Sequence, residues 1–272
     1  MIISMKRHLT VLLTSLLCFG LLACKQIPYG ENDSAGKYYL IRGIKMYCET
    51  YGSGEPLLLI HGNNGSINTF SGIIPHLSKN YKVIVADSRS QGRSLDEKDS
   101  ISFEMMADDY AALLDSMHIG SANIIGWSDG GINALLLAIR HPDKVKKIIS
   151  SGANLWPDST AISSDEWKSE QARFISDKNK VKISGKEKND WKLFLLDWNQ
   201  PNIPLYSLHC IKCPVLIVCG EHDLIKRDHS LLIHQNISQS ILWIVPASGH
   251  GTFFDQKRKF LNKVDDFLIN SR

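Results

Sequence analysis

Gly126-Trp127-Ser128-Asp129-Gly130-Gly131, residues 126–131, directly follows the apolar run Ala122-Asn123-Ile124-Ile125 and leads into Ile132-Asn133-Ala134-Leu135-Leu136-Leu137. A stretch of strand length thus passes into one of helical length through a single serine fenced by glycines. A turn that tight strains its central residue and tolerates only small neighbours. In return it lifts the serine hydroxyl above the C-terminal edge of a sheet. Read alone, the same serine could be no more than a helix N-cap, so its meaning depends on the rest of the chain.

Outward from this turn, apolar runs of strand length alternate with segments of helical period. Strands are expected at 38–41, 44–51, 56–60, 81–86, 122–127, 145–150, 215–219 and 241–245, most of them rich in β-branched residues. The first two read as an antiparallel pair turning at Arg42-Gly43. Phe103, Met106, Tyr110, Leu113 and Met117 recur at three- and four-residue steps behind a cap at Ser102, and a last helix is expected over residues 253–268. The alternation predicts an α/β fold with a mostly parallel sheet covered by helices on both faces. Residues 154–212 break it. They hold Trp156, Trp167, Trp191 and Trp198 and a lysine-rich stretch at 178–188, with no comparable strand signal, and are expected to form a helical cap inserted after the sixth strand. The lysine stretch reads as a solvated face, with contact to an anionic surface as the alternative.

A serine hydroxyl needs a base, and the base needs a carboxylate that fixes its tautomer. Two loops at expected strand ends offer them: Gly220-Glu221-His222-Asp223 and Pro246-Ala247-Ser248-Gly249-His250. The order serine, acid, histidine assigns Ser128, Asp223 and His250 as the candidate catalytic residues. Glu221 is the alternative acid, and His222 reads as an exposed loop residue. The oxyanion of an acyl-transfer intermediate needs two N–H donors, worth ~2.7 to 4 kcal/mol each. Asn63, in His61-Gly62-Asn63-Asn64-Gly65 after the third strand, and Asp129, at the start of the next helix, are the candidate donors.

These stretches, with Asp87-Ser88-Arg89-Ser90-Gln91-Gly92-Arg93-Ser94, resemble the α/β-hydrolase fold family over residues 39–268. Family members usually carry glycine where Ser90 stands, so the turn after Asp87 is expected to differ slightly here; Asp87 and Arg89 are taken as structural. Serine at the nucleophile position separates the chain from the dehalogenase and epoxide-hydrolase branches, which use aspartate there. Gly126 to Ile132, together with Ser151-Gly152-Ala153-Asn154, is more closely similar to the valacyclovir hydrolase (biphenyl hydrolase-like) group, which cleaves α-amino-acid esters. The resemblance implies that Asp129 holds a substrate ammonium, and makes Trp127 and Asp129 the candidate substrate-binding residues. A helix-start aspartate also offsets the helix dipole by roughly 0.3 to 1 kcal/mol whatever the substrate, and both readings stay open.

Composition bounds the remainder. A formal net charge of +3 is too mild for a nucleic-acid partner, and 43% hydrophobic residues suit a large globular domain. Met5-Lys6-Arg7-His8 followed by the apolar residues 9–23 reads as a signal peptide, and Leu21-Leu22-Ala23-Cys24 resembles the bacterial lipobox. Cys24 is then the expected lipidation site, residues 24–36 a tether and 37–272 the hydrolase domain, lipid-anchored in a bacterial cell envelope; a plain secretory signal and an uncleaved anchor are the alternatives. Cys210-Ile211-Lys212-Cys213 has metal or redox half-site spacing, but no second pair accompanies it, so packing is the expectation. The expected activity is hydrolysis of a small-molecule carboxylic ester through an acyl-serine, with no cofactor and no metal. The rivals are perhydrolysis, carbon–carbon cleavage or acyl transfer by the same residues, and a non-catalytic surface lipoprotein.

Overall fold

The computed structural model describes residues 27–270. The expected signal segment 1–23 and the lipidation site Cys24 lie outside them. Eight strands form one sheet in the order β1-β2-β4-β3-β5-β6-β7-β8. They are β1 (Gly36–Ile41), β2 (Ile44–Tyr51), β3 (Glu55–Ile60), β4 (Tyr81–Ala86), β5 (Ala122–Trp127), β6 (Val145–Ser151), β7 (Val215–Gly220) and β8 (Ser240–Val245). Only β1 and β2 run antiparallel to their neighbours; the other pairings are parallel. The β1–β2 turn falls where expected, with Arg42 and Gly43 both at positive φ.

Helices cover both faces: α1 (Ile74–Leu77), α2 (Phe103–Ser116), α3 (Asp129–Arg140), α4 (Ser164–Asp177), α5 (Gly185–Asn199), α6 (Leu205–Leu208), α7 (Arg227–Gln235), α8 (Thr252–Asp255) and α9 (Lys257–Asn270). Side chains alternate across a strand, so Leu58 and Ile60 join one apolar layer with Phe103, Leu135 and Ile233, while Leu57 and Leu59 join the other with Phe70, Phe260 and Val264. That is why the central strands read as unbroken apolar runs. Ser102 caps α2 by accepting from the Met105 N–H. The expected last helix is broken at Gln256, giving α8 and α9. No helix among the described residues is long and apolar enough to cross a membrane.

The cap lies between β6 and β7 and is built from α4, α5 and α6. It is fastened to the core by hydrogen bonds from α5. Asn189 Nδ2 donates to the Ser90 carbonyl at 2.8 Å, and Lys192 Nζ donates to the carbonyls of Asp96 and Lys98, both at 2.9 Å. Its aromatic residues stack on one another, Trp167 on Trp198 with centroids 5.2 Å apart and Phe174 on Trp198 at 4.6 Å. Much of the lysine stretch is the exposed connection between α4 and α5.

Within residues 24–36, expected to form a tether, those from Tyr29 on sit against the domain. The N–H groups of Gly30 and Asn32 donate to the Glu49 carboxylate at 2.9 and 2.8 Å, and Tyr29 packs edge-on against Tyr51. Glu49 is fully buried in β2, and its use as an anchor for the incoming chain has no local sequence signature. Cys48 and Cys219 are buried thiols, while Cys210 and Cys213 are both free, Cys210 exposed.

Candidate active site

Ser128 sits between β5 and α3 with φ 57° and ψ −121°, in the left-handed half of backbone space that costs a serine of order 1–3 kcal/mol. Close packing around it leaves no room for relaxation. A Cβ on Gly126 would lie 2.0 Å from the Gly130 carbonyl oxygen, and one on Gly130 would lie 1.8 Å from that of Ile60. The glycines on both sides of Ser128 are therefore a steric requirement, and the serine is held at the sheet edge by its neighbours.

The other two residues expected to act with it arrive from the ends of β7 and β8. His250 Nε2 lies 2.9 Å from Ser128 Oγ, and His250 Nδ1 lies 2.7 Å from Asp223 Oδ1. The Asp223 side chain is 1% exposed and that of His250 17%. Asp223 also accepts the N–H groups of Gly220 and Ile225, each at 3.0 Å. The acceptor at Nδ1 fixes the tautomer with its proton on Nδ1, leaving the Nε2 lone pair for the serine. Of the alternatives, Glu221 turns away to accept the Ala247 N–H at 2.8 Å, and the His222 side chain is largely exposed. Trp127 donates its indole N–H to the His250 carbonyl at 2.9 Å and lines the cavity above the serine.

Asn63 and Asp129 flank the same point. Among the described residues neither backbone N–H donates to another residue's backbone, and the Asp129 N–H lies within reach of its own carboxylate. A Cβ on Gly62 would lie 2.9 Å from Ser128 Cβ, so the loop runs directly over the serine. His61 secures it: Nδ1 donates to the Gly62 carbonyl at 2.7 Å, and Nε2 accepts the Ser88 N–H at 3.0 Å. Burial holds this imidazole neutral, its pKa lowered to about 4. Asp87 accepts the N–H groups of Ile67 and Arg93, as a structural residue would. Ser90, standing where glycine is usual, adopts φ 66°.

The cavity over Ser128 measures about 270 Å³; Asp129, Asp197, Glu166 and Glu170 are among its lining residues, with no lysine or arginine in its wall among the described residues. Asp129 is 4% exposed, and neither its Oδ2 nor Asp197 Oδ1 meets an N–H or hydroxyl donor among the described residues; the two carboxyl groups lie within hydrogen-bond reach of each other. Burial, then mutual repulsion, pushes the Asp129 carboxyl well above the ordinary carboxylate range. Burial raises Asp197 as well, against the pull of a hydrogen bond from Asn63. Two like charges this close do not both ionise readily, so the pair retains a proton that isolated carboxylates would release. Asp197, Glu166 and Glu170 were not among the expected site residues. A signal was present: Asp197 follows Leu193 and Phe194 on the inward side of α5, and Glu170 falls between Trp167 and Phe174 on the aromatic stripe of α4.

Comparison with known proteins agrees with this architecture. Residues 55–178 match the family model described as alpha/beta hydrolase fold. The chain is 29% identical over 245 residues to serine hydrolase BPHL of Mus musculus, covering 84% of each. It is 31% identical over 127 residues to 2-hydroxymuconate semialdehyde hydrolase of Pseudomonas sp. strain CF600, covering 45% of each. Among solved structures it resembles the enol-lactonase of Burkholderia xenovorans LB400, with TM-score 0.70 and 19% identity over 86% of this chain and 100% of that one. At such identity the likeness speaks to the fold.

Proposed function

Because the chain has the α/β-hydrolase fold, matches that family's model over residues 55–178 and has serine-hydrolase relatives, we propose that it hydrolyses a carboxylic ester, that of an α-amino acid, through an acyl-Ser128 intermediate. The observation that carries this reading is the hydrogen-bonded chain Ser128–His250–Asp223 at 2.9 and 2.7 Å. In the proposed mechanism His250 Nε2 takes the Ser128 proton as Oγ attacks the ester carbonyl, and Asp223 stabilises the imidazolium. The Asn63 and Asp129 N–H groups receive the oxyanion. Collapse breaks the C–O bond to the leaving alkoxide, which takes the proton from His250. Water, deprotonated by the same imidazole, then attacks the acyl-serine, and its collapse returns Ser128.

The buried Asp129–Asp197 carboxyl pair beside the nucleophile, which no N–H or hydroxyl donor reaches at Asp129 Oδ2 among the described residues, supports an ammonium on the acyl group over the helix-dipole role alone. A carboxylate removed from water favours a cation and rejects an anion. The wall charge also weighs against a carbon–carbon hydrolase reading. A relative is named 2-hydroxy-6-oxo-2,4-heptadienoate hydrolase, for a substrate that is a carboxylate, and here such an anion would meet four acids and no lysine or arginine among the described residues of the wall.

The test pairs an amino-acid ester bearing a free α-ammonium with its N-acetylated twin. Wild type should prefer the free amine, Asp129→Asn should lose that preference, and Ser128→Ala should lose turnover of both. Retained turnover in pure Ser128→Ala would sink the serine mechanism; equal rates in wild type would sink the ammonium.

We also propose that Cys24 carries a lipid that holds the domain at a bacterial envelope membrane, supported by the basic, apolar and Leu21-Leu22-Ala23-Cys24 sequence order. Cys24→Ser should release the protein from the membrane fraction of a bacterial host; unchanged partition would refute the anchor.

A further inference from the structure

One cation beside Asp129 leaves half of the cavity wall unexplained. Four carboxylates line the one cavity and act on one another pairwise. Asp129 feels Asp197, Asp197 in turn feels Glu170, and Glu170 feels Glu166. No three acidic, histidine or cysteine side chains among the described residues are grouped to hold one metal ion. Glu166 and Glu170 are four residues apart on α4, a spacing at which like charges repel, and burial pushes the Glu170 carboxyl up. The Arg173 guanidinium, which lies over the Phe194 ring at 4.3 Å, tempers Glu170 and Asp197 from a distance, but it is one cation among four carboxylates and makes no ion pair with Glu166 or Glu170 among the described residues. The stacked indoles of Trp167 and Trp198 line the same cavity, a surface suited to a methylene chain ending in a cation.

We infer that this cavity takes an acyl group carrying two ammonium groups about one side-chain length apart, as in esters of lysine or ornithine. The first sits between Asp129 and Asp197 beside the nucleophile, and the second between Glu170 and Glu166. The inference deepens the amino-acid ester reading and rests on it for turnover, though not for binding. Glu166 and Glu170 are half-buried, so a neutral side chain would displace water from them without replacing its hydrogen bonds, whereas a second ammonium pairs them. The volume of about 270 Å³ lies just below the range usual for drug-sized ligands and suits a single amino-acyl group.

The experiment measures binding of L-lysinamide and L-norleucinamide to Ser128→Ala by calorimetry, then repeats it with Glu166→Gln and Glu170→Gln added. The two ligands match in chain length and differ in the terminal ammonium. Lysinamide should bind at least tenfold more tightly, and the added substitutions should reduce that ratio to within twofold while the melting temperature shows the fold is intact. Equal binding to Ser128→Ala, or a ratio that survives the glutamine substitutions, overturns the proposal. Turnover separates it from its premise. Hydrolysis of lysyl and norleucyl esters at equal kcat/KM keeps the serine mechanism and removes the second cation, whereas tight lysinamide binding with no ester turnover does the reverse.

Discussion

Asn63 donates its side-chain amide to Asp197 Oδ2 at 2.7 Å and to the Leu193 carbonyl at 3.0 Å. The loop that carries the proposed oxyanion amide is thereby fastened to α5 of the cap, and the cap sets the loop as well as the substrate space. Asn63→Ala keeps the backbone N–H and loses the fastening. Its kcat on any accepted ester should fall by about tenfold to a hundredfold, short of the full ~10²–10³ loss on removing such a donor. Asp197→Asn keeps an acceptor for the amide and should lose less kcat while raising KM for cationic esters. Identical profiles for the two variants would show that the fastening has no role of its own.

Asp223 lies at the far side of the imidazole and touches no substrate. Asp223→Asn can offer its amide to His250 Nδ1 and stabilise the wrong tautomer, so kcat should fall by about 10⁴ with little change in melting temperature. The pH dependence of any residual rate would show whether the imidazole still acts as base. Near wild-type turnover would reassign the acid.

Gly152 supports the site by being absent as a side chain. A Cβ there would lie 2.6 Å from His250 Cε1, and its φ is 67°. Gly152→Ala should displace the imidazole and lower kcat by at least tenfold, with a moderate loss of stability. Gly130→Ala should act through folding, because its Cβ would meet the Ile60 carbonyl; on the order of 3 kcal/mol is expected from such overpacking. Thermal unfolding and kinetics on the same samples separate the two effects.

The buried titratable groups set opposite pH limits on stability. His61 and His229 are held neutral by burial, each lowered to about 4 from 6.5. Between those values the unfolded chain binds protons that the folded one refuses, so stability falls as pH drops below 6.5. Asp129 and Asp197 are raised, so the folded protein holds a proton that the unfolded chain releases. Their contribution is fully present below the ordinary carboxylate range and is lost as pH rises through the raised values. Asp197→Asn should therefore raise the melting temperature at pH 8 relative to wild type and change it little at pH 4. A uniform shift at both would exclude the shared proton.

The strand order of types, the strained serine turn, the downstream acid and histidine and the place of the cap were all legible in the chain, because each depends on residues adjacent in sequence. Apolar runs mark strands buried on both faces, and Gly126 and Gly130 mark a turn that no other residue can make. Ser90 at φ 66° and the helix break at Gln256 were less legible, since tertiary contacts decided between local conformations of similar cost. Asp197, Glu166 and Glu170 lie on either side of the lysine-rich stretch 178–188, in a cap whose helices share the tryptophan and phenylalanine stripe but carry no motif that points to a site. Only the docking of α4 and α5 over the sheet edge carries their carboxylates to Asp129, and only that enclosure, by removing water, turns surface acids into a charged wall. The sequence by itself determined the fold and the candidate nucleophile, base and acid; the tertiary structure decided the charge that a substrate meets there, because the desolvation of like charges is a property of the assembled cavity.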